Sequence, residues 1–190
     1  MIKEAIEASI AVKQKIASDL NFQKKISEVA KVIENALRND KKILFCGNGG
    51  SAADAQHLAA ELSGRFYYDR DPLFAEALHV NTSYITAVAN DYSYDEIYAR
   101  LLKAKGRTGD VLVAISTSGN SGNILRAIEQ AQLQGMVTVA MTGESGGKMR
   151  DKVDYLLNAP SDSTPRIQES HILIGHIICE IVEAEIFPRP

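Results

Sequence analysis

The sequence predicts an α/β domain: a doubly wound, mainly parallel five-stranded sheet in a three-layer, flavodoxin-like or Rossmann-like sandwich, with extra helices at its N-terminus. Three observations predict it. Five short apolar or β-rich runs, KKILFC, FAEALHV, DVLVAIS, MVTVAMT and VDYLLNA, each suit a buried strand. Stretches of helical period separate most of them, and strands alternating with helices build parallel βαβ units. The 190 residues are 45% apolar and 24% charged, which suits one globular domain with a full core, and no repeat, low-complexity tract or linker divides them.

Ile2, Ile6 and Ile10, then Ile26, Val29, Ile33 and Leu37, recur at three- and four-residue spacing, so residues 2–39 predict two amphipathic helices broken near SDLN. This pair precedes the first strand and belongs to no βαβ unit. Its apolar faces therefore need cover, either from the chain's own sheet or from a neighbouring subunit. Charges interrupt the apolar residues of MIKEAIEASIAVKQK, which excludes a signal peptide or a membrane span there. Further helices are predicted at 51–63, 83–103 and 121–134. A long one closes the chain from 165 to 186, with Pro165 in its first turn and Thr164 as its cap. The net charge of −3, without a basic run, argues against a nucleic-acid surface. Cys46 and Cys179 match no disulfide or zinc spacing, and the default location is the cytoplasm.

In such sheets ligands gather beyond the carboxyl ends of the strands, where strand order reverses. Three strand ends carry loops of unusual chemistry. The first, GNGGS, follows Cys46; its glycines can turn backbone N–H groups inward, beside the positive end of the next helix. Gly47, Gly49 and Ala52 also fit the loose dinucleotide fingerprint, but the acidic residue expected after the second strand is missing, since that strand reaches His79, Val80 and Asn81. A glycine turn serving only strand–helix packing is the alternative. The second loop, ISTSGNSGN, sets Ser116, Thr117, Ser118 and Ser121 around a helix start, a cup for a phosphate handle. One helix cap needs one serine, and four hydroxyls in six residues exceed that. The P-loop's Gly-Lys-Ser/Thr is absent, so no nucleotide cofactor is predicted. The third loop places Asn90 and Asp91 at a helix end, where such pairs commonly serve turns.

His57 and Glu61 stand four residues apart behind the glycine loop and share one helix face. On the last helix, Gln168, Ile172 and Gly175 or His176 follow one side of an apolar segment. Histidines on such a face more often fill a core than catalyse. His171 is therefore expected to be a core residue.

Taken together, CGNGGSAADAQHLAAELSGR, ISTSGNS, ANDY and RIQESHILIGH, in this order and spacing, resemble the phosphoheptose isomerase family of sugar isomerase (SIS) domains, over essentially the whole chain. The resemblance implies interconversion of sedoheptulose 7-phosphate and a manno-heptose 7-phosphate, on the way to heptose for lipopolysaccharide or other surface glycans. It places the base at Glu61 and the second acid/base at His176. Substrate contacts fall on Asn48, Gly49, Gly50, Ser51, Asn90, Asp91, Ser116, Thr117, Ser118, Ser121 and Gln168, besides Glu61 itself. Zinc, one per subunit, is implied at His57, Glu61, Gln168 and His176. The family also implies a homotetramer with sites at subunit contacts and residues 1–39 used in assembly. Pro165 departs from members that carry an aspartate there, which puts contacts near Arg166 in question. A non-catalytic SIS tetramer that binds a replication initiator is the alternative, but such relatives lose the acid and base. A third, a sugar-phosphate sensor, lacks an appended DNA-binding segment here.

Overall fold

The structure, a computed structural model, describes residues 1–189. Two N-terminal helices, α1 (Ile2–Ser18) and α2 (Leu20–Arg38), meet at Asp19, whose carboxylate accepts a hydrogen bond from the Phe22 amide at 3.0 Å and so starts α2. There follow β1 (Ile43–Gly47), α3 (Gly50–Ser63), β2 (Ala75–Ala77), α4 (Thr82–Asp91), α5 (Ile97–Lys105), β3 (Val111–Ile115), α6 (Gly122–Leu133), β4 (Val137–Thr142), β5 (Tyr155–Asn158) and α7 (Thr164–Ile186).

The five strands form one sheet in the order β2-β1-β3-β4-β5, and every pairing is parallel. The chain leaves β1 towards one edge and returns beyond it towards the other, so the crevice between β1 and β3 is the switch point. Alternation along the strands divides the core. Ile43, Phe45, Val111, Val113 and Ile115 face α2, α3 and α7, with α1 packed outside on α2 and α7, whereas Leu44, Cys46, Leu112 and Ala114 face α4, α5 and α6. Three layers result.

Three boundaries differ from the sequence expectation: the second strand, expected to reach His79, Val80 and Asn81, ends at Ala77. The predicted helix 83–103 is interrupted: α4 ends at Asp91, Ser93 is extended, and a 3-10 turn at Tyr94–Glu96 leads into α5. The break lets Val88 and the pair Ile97 and Tyr98 all reach the second core, while the Tyr84 hydroxyl donates to the Ile97 carbonyl at 3.1 Å across it. At the last helix Ser163 rather than Thr164 takes the N-cap position, without a side-chain cap bond, and Pro165 falls in the first turn.

The N-terminal helices divide their roles. Phe22, Ile26, Val29, Ala30 and Ile33 of α2 are buried in the chain's own core, so α2 is part of the sandwich. Along α1 only Val12 and Ile16 are buried, and Ile2, Ile6 and Ile10 remain 78%, 55% and 47% exposed. Among the described residues, no helix is long and apolar enough to cross a membrane.

Candidate active site

The first two loops of interest meet at the switch point. After β1 the backbone turns through Gly49 at φ +55°, a conformation that suits glycine, and enters α3. The Tyr98 hydroxyl donates to the Gly47 carbonyl at 2.5 Å and fixes the turn from below. After β3 comes the hydroxyl-rich loop, which bends at Gly119 with φ +66°; a Cβ there would collide with the Gly146 carbonyl of the loop behind. The Met149 amide donates to the Gly119 carbonyl at 3.1 Å and the Lys148 amide to Asn120 Oδ1 at 3.0 Å, so this second loop buttresses the first. Ser121 occupies the cap position of α6 yet makes no side-chain cap bond; its hydroxyl lies 3.1 Å from that of Ser116. A serine needed only as a cap would bond the helix instead.

A residue that the sequence reading missed joins these loops. Asn123, buried in the first turn of α6, exchanges two hydrogen bonds of 2.8 Å with the side-chain amide of Asn48. The Tyr94 hydroxyl donates to the same Asn48 oxygen at 3.2 Å. Asn90 and Asp91 are exposed at the end of α4, where the Asn90 amide donates to Asp91 at 2.9 Å.

The acid–base candidates converge behind the glycine loop. Gly50, Asp54, His57 and Glu61 form one stripe along α3 at helical spacing. Along that seam α7 runs in the same direction, with the Gln168 amide packed where a Gly50 side chain would stand and Leu58 where a Gly175 side chain would stand. These two close approaches bring His176 beside His57. The His57 Nε2 is 3.0 Å from Glu61 Oε1 and 3.4 Å from His176 Nε2, and the two rings meet edge-on at 5.0 Å. Donor atoms of His57, Glu61 and His176 all lie within 4.8 Å of one another. Burial raises the Asp54 pKa, opposed by His57, and Asp54 Oδ2 is buried without a hydrogen-bond partner.

This donor set fits zinc. Two nitrogens and a carboxylate oxygen are common zinc donors, and ligands at ~2.0–2.2 Å in a tetrahedron stand about 3.3 Å apart, close to the spacings found. Gln168 is the exception in the four-ligand set implied by the resemblance. It lies two turns before His176 on α7, about 12 Å along the axis, and its amide contacts the start of α3 instead. In one chain Gln168 therefore stands beside the glycine loop, apart from the cluster of His57, Glu61 and His176.

His171 takes the core position expected of it. It is fully buried, and its Nε2–H donates to the Thr142 carbonyl at 2.9 Å, leaving Nδ1 without a partner. Burial lowers its pKa to about 4, against the opposing pull of the Thr142 carbonyl. The unfolded chain, with histidine near 6.5, therefore binds more protons than the folded one between those values. Stability is expected to be fully present above pH ~6.5 and to fall by up to about 3 kcal/mol as pH drops towards ~4. Thermal melts across that window check this: His171→Gln should flatten the wild-type slope, and an equal slope in both proteins would assign the acid lability elsewhere. Neither cysteine offers a nucleophile, since burial pushes Cys46 up strongly and Cys179 to about 12.

Comparison with known proteins places this geometry. A sequence model of the family described as SIS domain matches residues 7–143. The chain is 53% identical over 186 residues to a phosphoheptose isomerase of Sulfurimonas denitrificans, covering 98% of this chain and 95% of that protein. Among solved structures it is similar to the phosphoheptose isomerase from Neisseria gonorrhoeae, with a TM-score of 0.89 and 43% identity over 97% of this chain and 100% of that one. It is also similar to one from Francisella tularensis, with a TM-score of 0.91 and 40% identity over 95% of both chains.

Proposed function

Because this chain belongs to the SIS domain family, and within it to the phosphoheptose isomerases, we propose that it converts D-sedoheptulose 7-phosphate to D-glycero-D-manno-heptose 7-phosphate through an enediol. The convergence of His57, Glu61 and His176 on the seam between α3 and α7 carries this reading. An aldose–ketose exchange needs a base for the proton beside the carbonyl and an acid for the oxygens. Glu61 takes the proton from C1 of the ketose and returns it to C2. His176 donates a proton to the C2 oxygen and accepts one from the C1 hydroxyl, so atoms and charge balance. His57, Glu61 and His176 would hold a zinc ion, which would act as a Lewis acid towards the sugar oxygens. The product would enter the assembly of activated heptose for lipopolysaccharide core or other surface glycans.

The phosphate is held by Ser116, Thr117, Ser118 and Ser121 at the start of α6, with no lysine needed. Asn48, Gly49, Gly50, Ser51 and Gln168 line the way to the reacting carbons, and Asn90 and Asp91 reach the substrate from the end of α4. His57 and Glu61 retain 48% and 25% side-chain exposure in the single chain, so cover from neighbouring subunits of a homotetramer suits a reaction that profits from exclusion of water. Replacing Ser118 and Ser121 with alanine is expected to raise KM for the phosphosugar about tenfold or more, with a smaller fall in kcat, because a handle contributes mainly uniform binding. An unchanged KM would put the phosphate elsewhere. Incubation with sedoheptulose 7-phosphate tests the function itself. Turnover supports the isomerase, tight binding without turnover would make the chain a sensor, and neither would leave a scaffold.

A further inference from the structure

Beyond the residues that face the substrate, Arg70 and Glu183 form an ion pair whose side chains are 2% and 1% exposed. A buried pair is costly to desolvate and is weak support for stability alone. Its hydrogen bonds point to another use. The Arg70 guanidinium donates to the Glu61 carbonyl at 2.9 Å, to Leu62 at 2.8 Å and to Gly64 at 2.9 Å, which closes the C-terminal end of α3 at the candidate base itself. These are carbonyls that a helix end leaves without helical partners. Its Nε donates to Glu183 at 3.0 Å, and Glu183 lies two turns beyond His176 on α7. The Glu183 carboxylate also accepts the Phe66 and Tyr67 amides at 2.7 Å each, and the Phe66 ring packs 5.6 Å from the His176 ring. Burial alone would raise the Glu183 pKa, but these amides and Arg70 hold it below the ordinary range.

One pair thus ties three things: the end of the helix that carries Glu61, the helix that carries His176, and the loop that sets an aromatic ring against His176. We propose that Arg70 and Glu183 are positioning residues for the isomerisation, fixing Glu61 relative to His176. This rests on the assignment of Glu61 and His176 as the acid–base pair. Misplacement of reacting groups by about 1 Å can cost 10²-fold in rate. The rest of the seam, at Gly50 with Gln168 and Gly175 with Leu58, packs side chains of α3 and α7 together but makes no hydrogen bond to the end of α3.

Arg70→Lys is the informative variant, because lysine keeps the charge opposite Glu183 but lacks the planar fork that also reaches the Glu61 and Leu62 carbonyls. With sedoheptulose 7-phosphate, kcat is expected to fall about 30-fold or more while KM stays within about threefold. In the same protein the His176 ring proton, assigned by its loss in His176→Gln, should shift in the NMR spectrum as the Phe66 ring moves. The folded-state signal is read apart from the random-coil histidine position given by any unfolded molecules, so it holds even where the variant is partly unfolded. Wild-type kcat in Arg70→Lys, or an unmoved His176 signal, would overturn the proposal. Glu61→Gln measured alongside separates the two ideas. If it is inactive while Arg70→Lys is normal, only the positioning role falls; if it retains turnover, the acid–base assignment falls and the positioning role with it.

Discussion

Glu61→Gln is expected to fold like the parent and to bind sedoheptulose 7-phosphate, while turnover falls by about 10³-fold or more. The amide keeps the size of the carboxylate and its oxygen can still face the His57 Nε2 now 3.0 Å away, so neither the seam nor the loops should move. What it lacks is the lone pair able to take a proton from carbon. General acid–base groups contribute about 10²–10⁴ in rate, and a base that both removes and returns the proton stands at the upper end of that range. The loss should therefore appear in kcat, with KM little changed. A parallel measurement of bound zinc is needed, because Glu61 is also a candidate metal donor. Near-normal turnover in the amide variant would displace Glu61 from the chemistry, whatever its effect on metal.

His57 and Glu61 could be paired from sequence because a spacing of four is local to one helix. The neighbour of His57 could not, since His176 reaches it through the packing of Leu58 on Gly175, more than a hundred residues apart in the chain. Only the family resemblance named His176, together with Gln168, which stands two turns earlier on the same helix. The strands were legible because apolar runs buried on both faces need no partner to be recognised, as in DVLVAI. The interruption of 83–103 was not, because its cause is the common core that Val88 and Tyr98 must both reach. Asn123 left one signal, a polar residue in the first turn beside the serine loop, yet its meaning depends on Asn48 across the crevice. Arg70 and Glu183 left none. Each reads as an ordinary surface charge until the fold buries both.

Removal of residues 1–39 is expected to unfold the chain, since Phe22, Ile26, Val29 and Ile33 of α2 are core residues. The apolar face that stays exposed in the single chain is on α1, where Ile2, Ile6 and Ile10 lie on one side. An apolar groove between α1, α2 and α7, bordered by Ile177 and Ile181, continues that surface. Burying an isoleucine side chain fully contributes ~1.5–3 kcal/mol, so three of them supply on the order of 5 kcal/mol per chain to an interface. Changing all three to glutamine, which keeps good helix propensity, removes that term without touching the core. The wild-type chain of 20.7 kDa is expected to scatter light as a particle near four times its mass. The triple variant should form smaller species, keep its helical circular dichroism, and lose most isomerase activity despite intact Glu61 and His176. A variant that stays at the wild-type mass would move the contact off α1, and a stable, active wild-type monomer would remove the oligomer from the mechanism altogether.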